Sequence, residues 1–229
     1  DGLSSEVMFA RHQGTGKYRT FVVGEQLVAS SPLAGLPTSS AMQAITIAHF
    51  DSDGQSDLLA RNRSTGKWKL YLSGNGRWTD AGVLPFLFRS TAWRLAGHGD
   101  FNGDGIEDVV LRNANGKWKQ YILNGSNFIS KRNTNLPRNA EIQLVATGDF
   151  NGNGRDDVVL VDKQSGDFLV ATSNTSGGIG RARTVSGLQG LANAWSVRGS
   201  GDYDGTGRDQ ILIRHKADGS WQAVSFEGG

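Results

Sequence analysis

The sequence of 229 residues contains no cysteine. This absence excludes disulfide bonds, thiol catalysis and thiolate metal sites. No run of apolar residues approaches the roughly 18 to 20 that would be needed to cross a membrane, so we expect no membrane insertion. Residues 1–6 also lack the basic and apolar segments of a signal peptide, which indicates either a cytosolic protein or a mature or trimmed chain.

The charge of the chain is nearly balanced, with a formal net charge of +2. The basic residues are dispersed, and no lysine or arginine block of the kind that follows a phosphate backbone is present. We therefore expect no nucleic-acid partner. Helical periodicity is also missing, because no apolar stripe at three-four spacing lasts three turns.

Glycine, by contrast, is abundant, with 32 residues against four prolines. Glycine at this level, without a triplet period, is typical of many tight turns that join short strands. The glycines also belong to a repeated loop of nine residues, whose last position falls at residues 57, 108, 157 and 210. The spacing is about fifty residues, within the range of repeat architectures.

The residues that follow each loop repeat as well. A short apolar strand comes first, as in Val109-Val110-Leu111-Arg112, and a polar turn with glycine leads to a second strand that opens on Gly116-Lys117-Trp118. The start of the chain, at residues 7–18, contains the same unit without its loop. Each copy therefore predicts a strand, a loop, two further strands joined by a turn, and a looser fourth strand.

A sheet with apolar residues on both faces must lie between neighbouring sheets, as the blades of a propeller do. We therefore predict an all-β fold, a single β-propeller domain over residues 1–229 with about five four-stranded blades. It is either part of a larger propeller or a gapped five-bladed ring. The predicted repeats are approximately 1–41, 42–92, 93–141, 142–194 and 195–229.

The loops have the composition of calcium sites. Calcium takes six to eight oxygen ligands, and alternate residues of a tight loop point inward, so side chains at loop positions 1, 3, 5 and 9 and the carbonyl at position 7 can surround one ion. Glycines at positions 4 and 6 allow positive φ angles. Two loops fill the whole pattern, with Asp100, Asn102, Asp104, the Ile106 carbonyl and Asp108 in one, and Asp149, Asn151, Asn153, the Arg155 carbonyl and Asp157 in the other.

Two further loops match only in part, and we predict weaker binding or no metal there. The loop at 49–57 has His49 at position 1. The loop at 202–210 has Gln210 at position 9, and Asp209 comes one place before it. Their remaining candidate ligands are Asp51, Asp53, Gln55 and Asp57 in the first, and Asp202, Asp204, Thr206 and Arg208 in the last. An EF-hand is a poor alternative, because a β-run follows each loop at once.

The loop Asp-Phe-Asn-Gly-Asp-Gly-x-x-Asp with its apolar continuation resembles the FG-GAP or VCBS repeat. That family includes the integrin α-subunit propeller, lectins and modules beside polysaccharide-degrading domains. The resemblance implies a propeller fold and bound Ca²⁺ at the matched positions. It does not fix a ligand, because proteins of this fold have many functions.

Signatures of catalysis are absent from the sequence, which has no Gly-x-Ser-x-Gly or His-Glu-x-x-His motif. We predict no catalytic residues and no enzyme activity. His12 and His215 share a position with asparagines of other copies, and the six tryptophans mostly share repeat positions, so we interpret both sets as structural. The column Arg11, Arg61, Arg112 and Arg214 is expected to pair with loop carboxylates of neighbouring blades.

The leading hypothesis is a non-catalytic, secreted or cell-surface module, stabilised by calcium, that binds carbohydrate in the manner of a lectin. The alternatives are a structural or adhesion propeller with extracellular protein ligands, and a polysaccharide lyase or hydrolase. Millimolar calcium outside cells matches loop sites of modest affinity. The ligand-binding residues are unknown from the sequence.

Overall fold

The computed structural model of this chain describes residues 6–23, 27–75 and 77–226. In these ranges the fold is all-β, with antiparallel strands and a single short helix. The chain divides into two compact units, Asp1–Thr91 and Ala92–Gly229.

The first unit contains two antiparallel sheets in which strands that follow each other in sequence are neighbours. One sheet has three strands and the other has four. The strands of the first sheet are β1 (Glu6–Arg11), β2 (Tyr18–Val23) and β3 (Leu27–Leu33). Those of the second sheet are β4 (Met42–Ala48), β5 (Asp57–Asn62), β6 (Trp68–Gly74) and β7 (Arg77–Val83).

The second unit contains three sheets built in the same order. The third sheet consists of β8 (Trp93–Gly99), β9 (Asp108–Asn113), β10 (Trp118–Asn124) and β11 (Asn127–Asn133). The fourth consists of β12 (Ile142–Gly148), β13 (Asp157–Asp162), β14 (Asp167–Ala171) and β15 (Arg183–Thr184). The helix α1 (Leu191–Ala194) precedes the fifth, which consists of β16 (Trp195–Gly201), β17 (Gln210–His215) and β18 (Trp221–Val224).

The order of strand, loop, strand, turn and strand predicted from the repeat is confirmed. Each of the four loops lies between the first and second strands of its repeat, and each glycine-containing turn joins the second strand to the third. The first strand of these four repeats also carries a β-bulge at the same point, between Leu95 and Gly97 in the third sheet and between Leu144 and Ala146 in the fourth.

The second strand of each repeat is the most buried. In β9 the residues Asp108, Val109, Val110 and Leu111 have no exposed surface, so both faces of the strand are covered. One face of the third sheet packs on the fourth through a cluster that includes Trp118, and the fourth packs on the fifth through a cluster that includes Phe168. This face-to-face packing of consecutive sheets is how a propeller buries its blades.

The predicted number of complete blades is wrong. Four blades are present in place of about five, and of the five sheets in the described residues only three have four strands. Among the described residues, the first sheet has no strand before β1 that corresponds to β4 or β8, and the last has none after β18 that corresponds to β7 or β11. The larger propeller, the single domain and the repeat boundaries stay predictions.

Candidate calcium loops and ligand cavities

The backbone of the two complete loops closes around the first carboxylate. Asp100 Oδ1 accepts hydrogen bonds from the amides of Gly103 (2.7 Å) and Asp104 (3.1 Å), and its Oδ2 accepts one from Gly105 (2.7 Å). Gly103 and Gly105 have φ angles of 79° and 81°, a conformation that glycine adopts without steric cost. The amides point inward because of these two glycines.

The second complete loop repeats this arrangement. Asp149 accepts from the amides of Gly152 (2.8 Å), Asn153 (3.0 Å) and Gly154 (2.7 Å). The amide side chain of Asn151 donates to Asp157 Oδ2 at 2.8 Å. The two loops therefore share one local structure, although the second has one carboxylate fewer.

The carboxylate at position 9 begins the buried second strand of each complete loop. Asp108 is fully buried and accepts from the amides of Phe101 (3.2 Å) and Leu123 (2.9 Å). Burial raises the pKa of Asp108 to about 8, because the two amide donors do not offset the desolvation of the charge and the nearby carboxylates of Asp104 and Asp100 raise the pKa further. The ionised form thus lacks compensation by a positive charge.

Asp157 has the same position in the next loop. It accepts from the amide of Ser173 at 2.8 Å, and burial raises its pKa to about 7. The pKa of Asp57 is likewise raised by burial, although its carboxylate accepts from the amides of Phe50 and Ser73 at 2.9 Å each.

The donor set fits a hard cation, because it consists of carboxylate, amide and carbonyl oxygens. In the described part of the chain, however, no three His, Cys, Asp or Glu side chains converge into a metal-binding group. The carboxylate oxygens are instead turned toward backbone amides, as Asp104 Oδ1 is toward the amide of Ile106 at 2.9 Å. The predicted ligands thus lie in the same loop, but their oxygens do not form a complete coordination shell.

The loop at 202–210 is closed by neutral groups. Gln210 stands where the other loops have a buried aspartate, and its Oε1 accepts from the amide of Tyr203 at 2.7 Å. Its Nε2 donates to Asp204 Oδ1 at 3.0 Å, and the hydroxyl of Thr206 donates to the same oxygen at 2.7 Å. These donors lower the pKa of Asp204, with the Thr206 hydroxyl as the largest cause. The loop needs no cation to satisfy its carboxylate.

The loop at 49–57 retains three aspartates. Asp51 accepts from the amide of Asp53 at 3.0 Å, and Asp53 accepts from the amide of Gln55 at 2.8 Å and from its side chain at 3.1 Å. Of the partly matching loops, this one keeps the buried carboxylate at position 9.

Position 8 of the loops has a role that the sequence patterns did not reveal. Asp156 Oδ2 accepts from the amide of Asp100 at 2.9 Å, and the amide of Asp156 donates to the carbonyl of Asp100 at 2.8 Å. Asp209 makes the same two bonds to Asp149, each at 2.9 Å. Asp209 is therefore not a displaced metal ligand but a link to the preceding loop. The signal was the acidic column Glu107, Asp156 and Asp209.

The arginine column does not pair with loop carboxylates as predicted. Arg112 donates to the backbone carbonyls of Asn139 (2.6 Å) and Ile142 and lies over the Trp118 ring at 4.6 Å. Arg61 similarly donates to the carbonyl of Ser90 (2.7 Å) and lies over Trp68 at 4.7 Å. Arg11, Arg61 and Arg112 fix the segment that follows the outer strand of their sheet, because each guanidinium reaches more than one backbone carbonyl.

The histidines at the turns are structural, as expected. His12 Nδ1 accepts from the amide of Thr15 at 3.1 Å, which matches the role of Asn62 in the next repeat. His215 Nδ1 lies 2.9 Å from Asp218 in the equivalent turn. His98, before the first complete loop, contacts Glu107 at 2.8 Å.

The tryptophans are not uniformly buried. Trp68 and Trp118 are buried and donate to the carbonyls of Phe88 and Pro137. Trp221 holds the same repeat position but is 55% exposed. Trp195 is half-buried and lies against His215 with 4.8 Å between ring centroids.

Two cavities open in the second unit. The tryptophan cavity, of about 490 Å³, lies between the fourth and fifth sheets and is lined by Trp195, Phe168, Val197, Gln143, Lys163 and Lys216. The arginine cavity, of about 630 Å³, lies beside β15 and is lined by Arg181, Arg183, Val170, Val185, Leu188 and Phe226, together with several serine and threonine residues. Both volumes are in the range of small-ligand sites.

The comparison with known protein families agrees with the repeat. Residues 100–160 match the FG-GAP-like repeat family. A crystal structure of glutaminyl cyclase from Myxococcus xanthus matches with 15% identity and a TM-score of 0.41, covering 95% of this chain and 87% of that one. The structure of TcdB2-TccC3 without its hypervariable C-terminal region matches with 14% identity and a TM-score of 0.44, covering 96% of this chain and 13% of that one. No curated protein matches this chain in sequence.

The prediction that the chain is not an enzyme is corrected by these comparisons. One of the similar solved structures is an enzyme, so the fold and the missing motifs do not justify that exclusion. This similarity assigns no catalytic residue to the chain.

FG-GAP repeats typically occur in extracellular proteins. Among the described residues, no helix has the length and apolar character needed to span a membrane. Residues 100–160 match the FG-GAP-like repeat family, and the loops in repeat register and the antiparallel sheets agree with a β-propeller built on that repeat.

Proposed function

We propose that this propeller is a calcium-stabilised, extracellular module that binds carbohydrate. Calcium serves the scaffold by neutralising the carboxylates of the loops at 100–108 and 149–157. The ligand binds elsewhere, in cavities between or beside the sheets.

The buried carboxylate of Asp108 is the observation that carries the calcium proposal. A fully buried carboxylate with two amide donors and a pKa raised to about 8 is poorly stabilised in its ionised form. Asp100 and Asp104 lie in the same loop, with oxygen ligands in the order that calcium prefers. A bound divalent cation would supply the missing positive charge.

Calcium stoichiometry tests this proposal. The variant Asn102→Ala/Asp104→Ala removes ligands at positions 3 and 5 of the first complete loop, where Asn102 is half-buried and Asp104 is exposed. The matched control, Asp204→Ala/Thr206→Ala, removes the same positions from the loop that Gln210 closes without a cation. Isothermal titration with calcium should give one ion fewer for the first variant and an unchanged number for the control. If the parent protein binds no calcium, the proposal is wrong.

The carbohydrate part is supported by the tryptophan cavity. An aromatic face beside hydrogen-bonding side chains is suited to sugars, because the ring covers apolar C–H groups while amides and ammonium groups bind hydroxyls. Trp195 provides such a half-buried ring, with Gln143 and Lys163 in the same lining.

A glycan array with calcium and with chelator tests ligand recognition. We expect binding that decreases in chelator and in a Trp195→Ala variant whose circular dichroism is unchanged. If no glycan binds while an extracellular protein does, the adhesion function replaces the carbohydrate one.

A further inference from the structure

The fourth sheet departs from the repeat at its outer edge. Its outer strand, β15, has two residues, whereas β7 and β11 have seven each. β15 pairs with β14 only at Leu169 and Val170. The segment between them is instead a turn that closes on the bridge between Ser173 and Ile179. The arginine cavity opens beside this shortened strand.

Departures from an otherwise consistent repeat are where functional sites are expected. A longer outer strand would have covered the edge of β14, as β11 covers β10 over seven residues. The shortening costs strand pairing and yields a cavity of about 630 Å³.

The cavity wall carries positive charge without a counterion. Arg181 and Arg183 both line it, and no aspartate or glutamate does. Within residues 6–23, 27–75 and 77–226, neither guanidinium forms a salt bridge or a side-chain hydrogen bond. Arg112 and Arg132 of this unit are engaged, by contrast, with backbone carbonyls and with Ser176 respectively. Two free guanidinium groups in one cavity favour an oxoanion, which each can bind in a bidentate manner.

The uncharged residues of the cavity wall indicate what the remainder of the ligand should look like. Val170, Val185, Leu188 and Phe226 form an apolar surface, and Phe226 is held by an edge contact with Phe150 at 5.1 Å between centroids. Hydroxyl groups of serine and threonine residues complete the lining, among them Thr184, Ser186 and Ser225. A ligand with a ring, hydroxyl groups and one anionic group would match the apolar, hydroxyl-bearing and positively charged parts of this wall.

We propose that the arginine cavity binds an acidic sugar residue, with its carboxylate or sulfate between Arg181 and Arg183. This inference rests on the proposed carbohydrate function and specifies one site and one ligand class for it. It does not depend on the tryptophan cavity or on calcium.

Titration calorimetry with glucuronic acid, glucose, a 6-sulfated N-acetylglucosamine and inorganic sulfate tests the proposal. We expect at least one acidic sugar to bind at least about tenfold more tightly than glucose, since a charge-assisted hydrogen bond contributes more than a neutral one. Its affinity should fall as salt is raised. If neither acidic sugar binds at millimolar concentration, or if inorganic sulfate binds as tightly as the sulfated sugar, the proposal fails.

The variant Arg181→Gln/Arg183→Gln should reduce acidic-sugar affinity at least about tenfold without changing the melting temperature. The matched control is Arg77→Gln, an exposed arginine on the outer strand of the second sheet, which should leave affinity unchanged. Acidic-sugar binding that survives the double substitution would contradict this site. Neutral glycans that still bind an array would show that the broader function stands although this inference does not.

Discussion

At the residue scale, the glycines in three of the turns between second and third strands, Gly16, Gly66 and Gly116, are required by close backbone approach. Gly116 has a φ angle of 73°, and a Cβ placed there would overlap with the carbonyl oxygen of Arg138. Gly187 has a similar φ of 80° but open space around it. The two positions therefore separate backbone strain from steric overlap.

Gly116→Ala should lower the free energy of unfolding by about 3 kcal/mol, because a left-handed alanine costs about 1–2 kcal/mol and the overlap adds to it. Gly187→Ala should cost only about 1 kcal/mol. Urea denaturation of both variants measures the difference. Equal losses would mean that the approach of Arg138 to this turn has no energetic consequence.

The link residue Asp156 gives a prediction about pH. Burial raises its pKa to about 7, and the charges of Glu107, Asp100 and Asp209 add to that shift. The folded state therefore binds a proton more tightly than the unfolded state, whose carboxyl titrates near 3.9. Stability in chelator should fall as the pH rises from about 4 to 7, because the unfolded state then releases this proton more readily.

Asp156→Asn should make the decrease shallower, since the amide oxygen still accepts from Asp100 and no longer titrates. Melting temperatures between pH 4 and pH 8 in chelator provide the measurement. The control is Asp162→Asn, on the strand that follows, whose side chain accepts from the amide of Gln164 at a solvent-exposed turn. A slope that Asp156→Asn leaves unchanged would show that other carboxylates dominate.

At the element scale, Arg11, Arg61 and Arg112 of the arginine column join the second strand of their repeat to the segment that leads to the next sheet. Arg112 reaches past its own sheet to the carbonyl of Ile142, the first residue of β12. The stacking on Trp118 places the guanidinium at the height of these carbonyls. The contact therefore positions the fourth sheet relative to the third.

Arg112→Ala should cost about 2 kcal/mol of unfolding free energy, because hydrogen bonds from a charged group to two backbone carbonyls are lost. Arg112→Lys should recover little, as an ammonium group cannot reach the same set of carbonyls in a planar arrangement. Arg214→Ala is the control and should cost less than about 1 kcal/mol, since that guanidinium lies 5.9 Å from an exposed Trp221 ring. Similar losses of unfolding free energy for Arg112→Ala and Arg214→Ala in chemical denaturation would contradict this interpretation.

At the scale of the whole molecule, calcium should raise the melting temperature in a concentration-dependent way. A ligand that binds only the folded state contributes about 2.7 kcal/mol per site when its concentration is a hundred times its dissociation constant. The increase should be smaller in Asn102→Ala/Asp104→Ala, which retains one complete loop. Magnesium serves as the control ion, because it prefers a smaller octahedral site and should shift the melting temperature less. Identical melts with calcium and with chelator would refute the role of the ion.

Much of the fold was predictable because the repeat places the same residue types at the same strand positions. The strand that contains Val109 and Val110, and the turn before Trp118, follow directly from it. The shortening of β15 was not, since no sequence pattern predicts it. The link by Asp156 and the carbonyl contacts of Arg112 also escaped prediction, because both depend on which backbone groups of a neighbouring repeat come close.

The link between successive loops has a consequence for how such a chain can change over evolution. Asp156 and Asp209 form hydrogen bonds only with the main chain of the preceding loop. The side chain at position 1 of that loop therefore does not contribute to the link between the loops. A repeat can thus exchange its first metal ligand for another residue without losing its neighbour. The packing of successive repeats and the binding of an ion can therefore change independently. A duplicated repeat can lose its metal ligand and still keep its contact with the next repeat.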